Sequence, residues 1–303
     1  DAAGNLCMSG WTNSTDFPTV NPIQGTYGGG SWDAILVKLS ADGSTLLSSS
    51  YLGGTADDWA NWMDLDAAGN WYVNGNTYST DFPTANPIQA ANGGGWDLFL
   101  AKVNPGLTAL VYSTYLGGSG DDWAWWTCIR ADESGGMVAS GYTNSSDFPM
   151  RNPRQAANAG GWDAVLVRLN AAGDDFVFST YLGGTASDYG YAIEFDSDGN
   201  IVLCGQTGSA DFPVANALQG TLAGSSDVFV SRVDPSGASL LSSTFFGAGA
   251  DEWPTDLRAD RFGNLHLVGT TNSRAFPTRF ALQATRGGGW DAFVTRFDGA
   301  VTR

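Results

Sequence analysis

The chain has 303 residues, 43% of them hydrophobic and only 15% charged, with 41 Gly and 12 Trp, a composition too apolar and aromatic for disorder. Acidic residues outnumber basic ones 31 to 14, a formal net charge of −17, and no basic stripe is present to neutralise phosphates, so nucleic acid is excluded as an expected partner. No apolar run approaches the roughly eighteen residues of a membrane span, and no membrane insertion is expected.

In chain order, Asn5 to Tyr51 holds three strand-like runs, the middle one containing Ala34-Ile35-Leu36-Val37. The next stretch shows four runs, Trp59–Asp66, Asn70–Thr77, Trp96–Val103 and Leu110–Tyr115, here named A to D. The four-run pattern returns twice, and Trp253 to Phe297 supplies A, B and C again. Gly4, Gly69, Gly135, Gly199 and Gly263 head matching segments at spacings of 65, 66, 64 and 64. A period of that length built from short strands means blades, a solenoid or an array.

Turn chemistry separates the runs. Asp66-Ala67-Ala68-Gly69-Asn70 and Asp196-Ser197-Asp198-Gly199-Asn200 place Asp at the start and Gly at a position suited to positive φ, which predicts a short A–B hairpin. A calcium loop at Asp196 to Asn200 lacks a downstream bidentate Glu, and no metal site is expected. Strand C reads apolar on both faces in Leu98-Phe99-Leu100-Ala101 and Ala164-Val165-Leu166-Val167, as a strand covered on two sides does. No segment carries a helical period. The expectation is an all-β fold, a β-propeller of about five four-stranded blades with incomplete terminal blades.

Tyr115-Leu116-Gly117-Gly118, Gly120-Asp121-Asp122, Gly-Asn before strand B, Thr-Asn-Ser followed by Asp-Phe-Pro, and Asp-Ala-Phe-Val before a basic residue recur in order along the whole chain. Together they resemble the SBBP-type β-propeller repeat of bacterial and archaeal secreted or surface proteins. The resemblance implies a propeller, an extracellular or cell-surface setting and no established catalysis. Tryptophans at the starts of strands A and C depart from the usual pattern.

The expected organisation is one propeller domain over 1–303, with repeat segments of roughly 1–65, 66–131, 132–195, 196–259 and 260–303. Eighteen strands are counted where five complete blades need twenty, so either the native chain is longer or another chain supplies the missing pairing. Residues 1–50 carry four acids and one base, while 254–303 carry four acids and seven bases, a net of −3 against +3. Self-association through the terminal blades is therefore expected.

Each B–C loop runs about twenty residues, far above the usual two to six, and shares one end of the blades with the D–A crossovers. Its Asp-Phe-Pro and Asn-Pro-Ile-Gln motifs are expected to tack the loop to its own blade. Trp32, Trp96, Trp162 and Trp290 precede the Asp that opens strand C, and Trp59, Trp123, Tyr189 and Trp253 follow an acid at the start of strand A. Aromatic faces beside carboxylates suit stacking on a ligand, with Asp58, Asp122 and Asp188 as acceptors, and these are the candidate binding residues. The alternative is packing between blades. Asp33, Asp97, Asp163, Asp227 and Asp291 recur in all five periods, as a structural cap does, and the base five residues later falls at the opposite strand end. His266 reads as a half-buried structural residue, the cysteines as small core groups.

No asymmetric catalytic constellation is present and no cofactor is expected. The leading expectation is a non-enzymatic extracellular module for surface structure, adhesion or assembly through protein contacts. The alternative is a multivalent glycan-binding propeller, so the expected partner is a protein or a polymeric glycan.

Overall fold

The computed structural model describes residues 1–124 and 128–298, and every regular element among them is a β-strand. Strands follow chain order within each sheet, antiparallel neighbour to neighbour, as hairpins joined by two short turns and one long loop require. The first sheet has strands B, C and D (Leu6–Thr12, Asp33–Leu39 and Leu46–Leu52). The second has all four, Asp58–Leu65, Trp71–Thr77, Asp97–Val103 and Leu110–Leu116. In the third, strand A is described as Asp122–Trp123 and Ile129–Ala131, residues 125–127 lying outside the described set, followed by Met137–Thr143, Asp163–Leu169 and Phe176–Leu182. The fourth runs Asp188–Phe195, Ile201–Thr207, Asp227–Val233 and Leu240–Phe246, and the fifth, among the described residues, has A, B and C, Glu252–Ala259, Leu265–Thr271 and Asp291–Phe297. These are blades of the β-propeller type, with three-stranded first and last sheets, as the repeat predicts.

Two compact units divide the chain. One comprises residues 1–139, 145–149 and 167–177; the other comprises 140–144, 150–166 and 178–303. In the first, Leu36, Leu52, Trp71, Val73, Phe82 and Phe99 form the core, and strand B of the first sheet packs on strand A of the second. In the other, Ile193, Leu203, Phe229, Leu257 and Leu267 are buried, and strand A of the fourth sheet packs on strand A of the fifth.

Burial follows the number of neighbours. Strands B and C of the second sheet are buried at every residue, which is why strand C reads apolar on both faces. In the first sheet Leu6 and Met8 are 49% and 44% exposed, although Trp71 and Val73 at the same positions of the second sheet are buried. In the fifth sheet Val294 is 75% exposed, whereas Leu100 at that position of the second is buried.

The A–B turns take the expected form. Asp66 Oδ1 accepts the N–H groups of Ala68 and Asn70 at 3.0 and 2.9 Å, and Gly69 stands at φ 81°. The recurrent base of strand C closes this turn in its own sheet. Lys38 lies 2.9 Å from Asp1, Lys102 4.0 Å from Asp66 and Arg168 2.8 Å from Asp132. In the fourth sheet Arg232 bonds both Asp196 and Asp198, at 3.1 Å for the latter, so a guanidinium fills the place a calcium ion would take. In the fifth, His266 Nε2 is 3.1 Å from Asp260. Cys128 and Cys204 are buried and Cys7 is half-buried. Burial alone would raise the Asp132 carboxyl, but hydrogen bonds from Ser134 and Arg168 hold it below the ordinary range. Arg168→Met is expected to cost about 2 kcal/mol at neutral pH, read by urea unfolding, because it strips a charged partner from a largely buried carboxylate.

Candidate functional site

The long loops and the crossovers meet at one end of each sheet, where both recurrent aromatic positions lie. Asp-Phe-Pro opens the first four loops and Ala275-Phe276-Pro277 the fifth, and the Phe turns inward: Phe82 stacks on Phe99 with centroids 4.4 Å apart, Phe212 on Phe229 at 4.5 Å. The Phe82 N–H donates to Tyr115 Oη at 2.7 Å, and that hydroxyl donates to the Ser79 carbonyl at 2.8 Å. The loop is thus tacked to its own sheet, as expected. The Asp of the motif reaches instead to the crossover that enters the sheet. Asp81 Oδ1 accepts Thr55 N–H at 2.8 Å and its hydroxyl at 3.0 Å, and Asp211 does the same with Thr185 at 2.9 and 3.0 Å. The glycine run lies against the next crossover, the one that leaves the sheet, so closely that a β-carbon on Gly93 would stand 2.6 Å from the Gly118 carbonyl oxygen.

The candidate acceptors lie inside. Asp58, Asp122 and Asp188 are wholly buried, since the first residue of strand A points into the sheet stack while Asp57 and Asp121 point out. Asp58 Oδ2 accepts Gly54 N–H at 2.7 Å and the Ser79 hydroxyl at 2.8 Å; Gly118 with Ser145, and Gly184 with Ser209, serve Asp122 and Asp188 alike. These three carboxylates therefore hold the crossover and do not face a ligand, which corrects their reading as surface acceptors. The strand-C aspartates are caps, as expected: Asp97 Oδ2 accepts Gly93 N–H at 2.8 Å and Gln89 Nε2 at 3.1 Å. Burial pushes Asp58 and Asp97 up to about 7 and Asp163 up to about 6.

The rings divide into two groups. In the first unit Trp59, Trp96 and Trp123, all half-buried, lean on one another with centroids 4.6, 5.0 and 6.0 Å apart; Trp11 and Tyr78 extend the row at 6.3 and 5.3 Å. Trp32 is half-buried, and its N–H points at Asp57 Oδ1 at 3.3 Å. In the second unit Tyr142 meets Trp162 and Tyr189 edge-on at 5.5 and 4.9 Å. Trp253 and Trp290 are the open pair there, 53% and 52% exposed with centroids 6.4 Å apart. The rings of Trp59, Trp96 and Trp123 spend much of their faces on each other. No cluster of three or more metal-binding side chains occurs among the described residues.

The model of the SBBP β-propeller repeat matches residues 177–213. No curated protein matches the chain. Among solved structures the chain is similar to a protein of unknown function from Bacteroides caccae, at 9% identity and TM-score 0.41, covering 89% of this chain and 75% of that one. It is also similar to a protein of unknown function from Dyadobacter fermentans, at 10% identity and TM-score 0.49 over 89% and 69%. A third is a europium-containing methanol dehydrogenase, at 9% identity and TM-score 0.37, where 90% of this chain covers 56% of that one. The match over residues 177–213 supports the resemblance carried by the recurrent motifs: the chain is a repeat protein with the fold of a β-propeller, similar over that segment to the SBBP repeat.

Proposed function

We propose that the chain is a non-enzymatic, extracellular or cell-surface propeller module that works through protein contacts, the first being with further copies of itself. The exposed faces of the first and last sheets carry this reading. The first sheet exposes Leu6 and Met8 and carries a groove of about 410 Å³ lined by Met8, Phe17, Pro18, Ile35, Val37 and Leu46, while the fifth sheet presents Val294. Both faces expose positions that the second sheet buries against its neighbours. Residues 1–50 carry a net charge of −3 and 254–303 a net charge of +3, so contact of one copy's first sheet with another's last joins opposite charges. Such a head-to-tail contact is heterologous and grows into rings or filaments.

Particle mass by light scattering tests this. The mass is expected to rise with concentration, and Met8→Asp or Val294→Asp to hold the protein monomeric with its thermal midpoint within about 2 °C of the parent. A parent that stays monomeric throughout overturns self-association. Glycan binding is favoured by one observation, the open Trp253–Trp290 pair. A glycan-array signal lost on Trp253→Ala with Trp290→Ala, at unchanged midpoint, would put that reading first.

A further inference from the structure

Successive sheets bring acids together in pairs. The strand-C Asp of one sheet sits beside the first strand-A acid of the next, because the residue before that Asp accepts the backbone N–H of the acid. Asp58 N–H donates to the Trp32 carbonyl at 2.7 Å, Asp122 to Trp96 at 2.6 Å, Asp188 to Trp162 at 2.6 Å and Glu252 to Ser226 at 3.1 Å. A β-carbon on Gly117 would stand 2.5 Å from Asp97 Oδ1 and 2.7 Å from Asp122 Oδ2. On Gly53 the same atom would stand 3.0 Å from Asp33 Oδ1 and 2.8 Å from Asp58 Oδ2, and on Gly247 it would meet Asp227 and Glu252 together. All eight acids are wholly buried, and among the described residues the Oδ1 atoms of Asp33, Asp97, Asp163 and Asp227 have no hydrogen-bond partner, while the Thr77 and Thr207 hydroxyls act on Asp58 and Asp188.

We propose that each pair, Asp33 with Asp58, Asp97 with Asp122, Asp163 with Asp188 and Asp227 with Glu252, binds one proton and shares it, so that a neutral carboxyl donates an O–H···O bond to its carboxylate neighbour. The proton comes from solvent and leaves each pair with a single negative charge. Two carboxylates this close and this dry do not both ionise at modest cost, and the shared proton gives a stranded oxygen its partner. A cation suits the place less well. Backbone N–H and Ser O–H groups already aim at these carboxylates, no group of three metal-binding side chains occurs among the described residues, and calcium takes six to eight oxygens. The strand-C bases stand five residues away, about 16 Å along the strand.

The titratable groups acting on the pairs agree in sign. Besides the paired acids themselves, Asp57 and Tyr27 face Asp33, Tyr115 faces Asp58 and Asp97, and Asp211 faces Asp188; all are acids or phenols. Burial first, and the neighbouring acid after it, push Asp97 up to about 7 and Asp163 to about 6, with Asp33, Asp188 and Asp227 also raised. A carboxyl raised on folding takes up a proton as the chain folds. Its stabilisation is therefore present in mild acid and lost as pH rises through 6 to 7.

The thermal midpoint of the whole chain, followed from pH 5 to pH 8 at constant ionic strength, tests the proposal. It is expected to fall by several degrees across that range. Asp97→Asn removes the need for the proton in one pair, so it should raise the midpoint at pH 8 and flatten the profile. The exposed control Asp16→Asn removes the same charge and should leave the slope as in the parent. If Asp97→Asn does not fold, infrared difference spectra of the parent should still show a protonated carboxyl band at pH 6 that is gone by pH 8. A midpoint that is flat or rises towards pH 8 overturns the proposal, as does an equal effect of Asp16→Asn. Recovery of the pH 5 midpoint at pH 8 on adding calcium, reversed by a chelator, would overturn it in favour of a bound cation.

Discussion

Gly75→Ala is expected to lower the unfolding free energy by at least about 3 kcal/mol, the amount that follows when a backbone and a packed ring cannot both retreat from an added atom. The added β-carbon overlaps the Trp59 carbonyl oxygen and the edge of the Phe99 ring. Trp59 pairs with Asn76 in the strand ladder, and Phe99 is pinned beneath Phe82, so neither group has room to give. Gly205 and Gly269 meet Tyr189 with Phe229, and Trp253 with Phe293, in the same way. Gly10 occupies the same position in the first sheet, which has no strand A, and nothing lies within 4 Å of its β-carbon site. Gly10→Ala should therefore change stability by less than about 1 kcal/mol, and chemical denaturation of the two variants side by side reads the difference. Equal effects would show that the glycine is not there to admit strand A.

Phe212→Ala should cost about 3–5 kcal/mol, since truncating a buried aromatic ring loses its transfer energy and leaves a cavity. Phe212 is buried between Phe229 and Phe245, at 4.5 and 6.1 Å between centroids, and holds a long loop that has little regular structure of its own. The half-buried Phe276 of the fifth sheet makes a similar contact with Phe293 at 4.7 Å, and Phe276→Ala should cost about half as much because solvent already covers part of it. Urea unfolding of the pair measures both. Equal costs would mean that the loops are anchored elsewhere.

The period and the turn residues made the sheets legible, because a strand buried on two faces, an Asp-led hairpin and a loop opening on Asp-Phe-Pro each leave a local signature. The inward Phe was legible for the same reason. Spacing puts Asp58, Asp122 and Asp188 on the loop-rich end beside aromatic rings, and the structure buries all three. Alternation along a strand says that Asp58 and Asp57 point opposite ways, but it does not say that Asp33, twenty-five residues earlier and in another sheet, shares the space Asp58 points into. The same limit applies to the tryptophans: spacing puts Trp59, Trp96 and Trp123 at strand ends, and only the packing of successive sheets turns them onto one another. A further local signal is the Tyr of Tyr-Leu-Gly-Gly, whose hydroxyl joins the loop to strand D.

The bonds around Asp188 bear on where one repeat stops and the next begins. Gly184 N–H and the Ser209 hydroxyl meet on Asp188, Ala186 N–H meets Ser209 Oγ, and Thr185 meets Asp211. All of these partners fall within residues 177–213, a stretch that starts in strand D of one sheet and ends beyond strand B of the next. The piece that holds these crossover side-chain bonds within itself is thus the joint, not the sheet. Gene duplication or designed insertion that copies the chain from mid-D to mid-D transplants each joint whole, while a cut made in the crossover between Ala186 and Asp188 parts Gly184 from Asp188, Thr185 from Asp211 and Ala186 from Ser209. Lengthened or shortened versions of this array should accordingly tolerate splices inside strand D and fail at splices between Ala186 and Asp188.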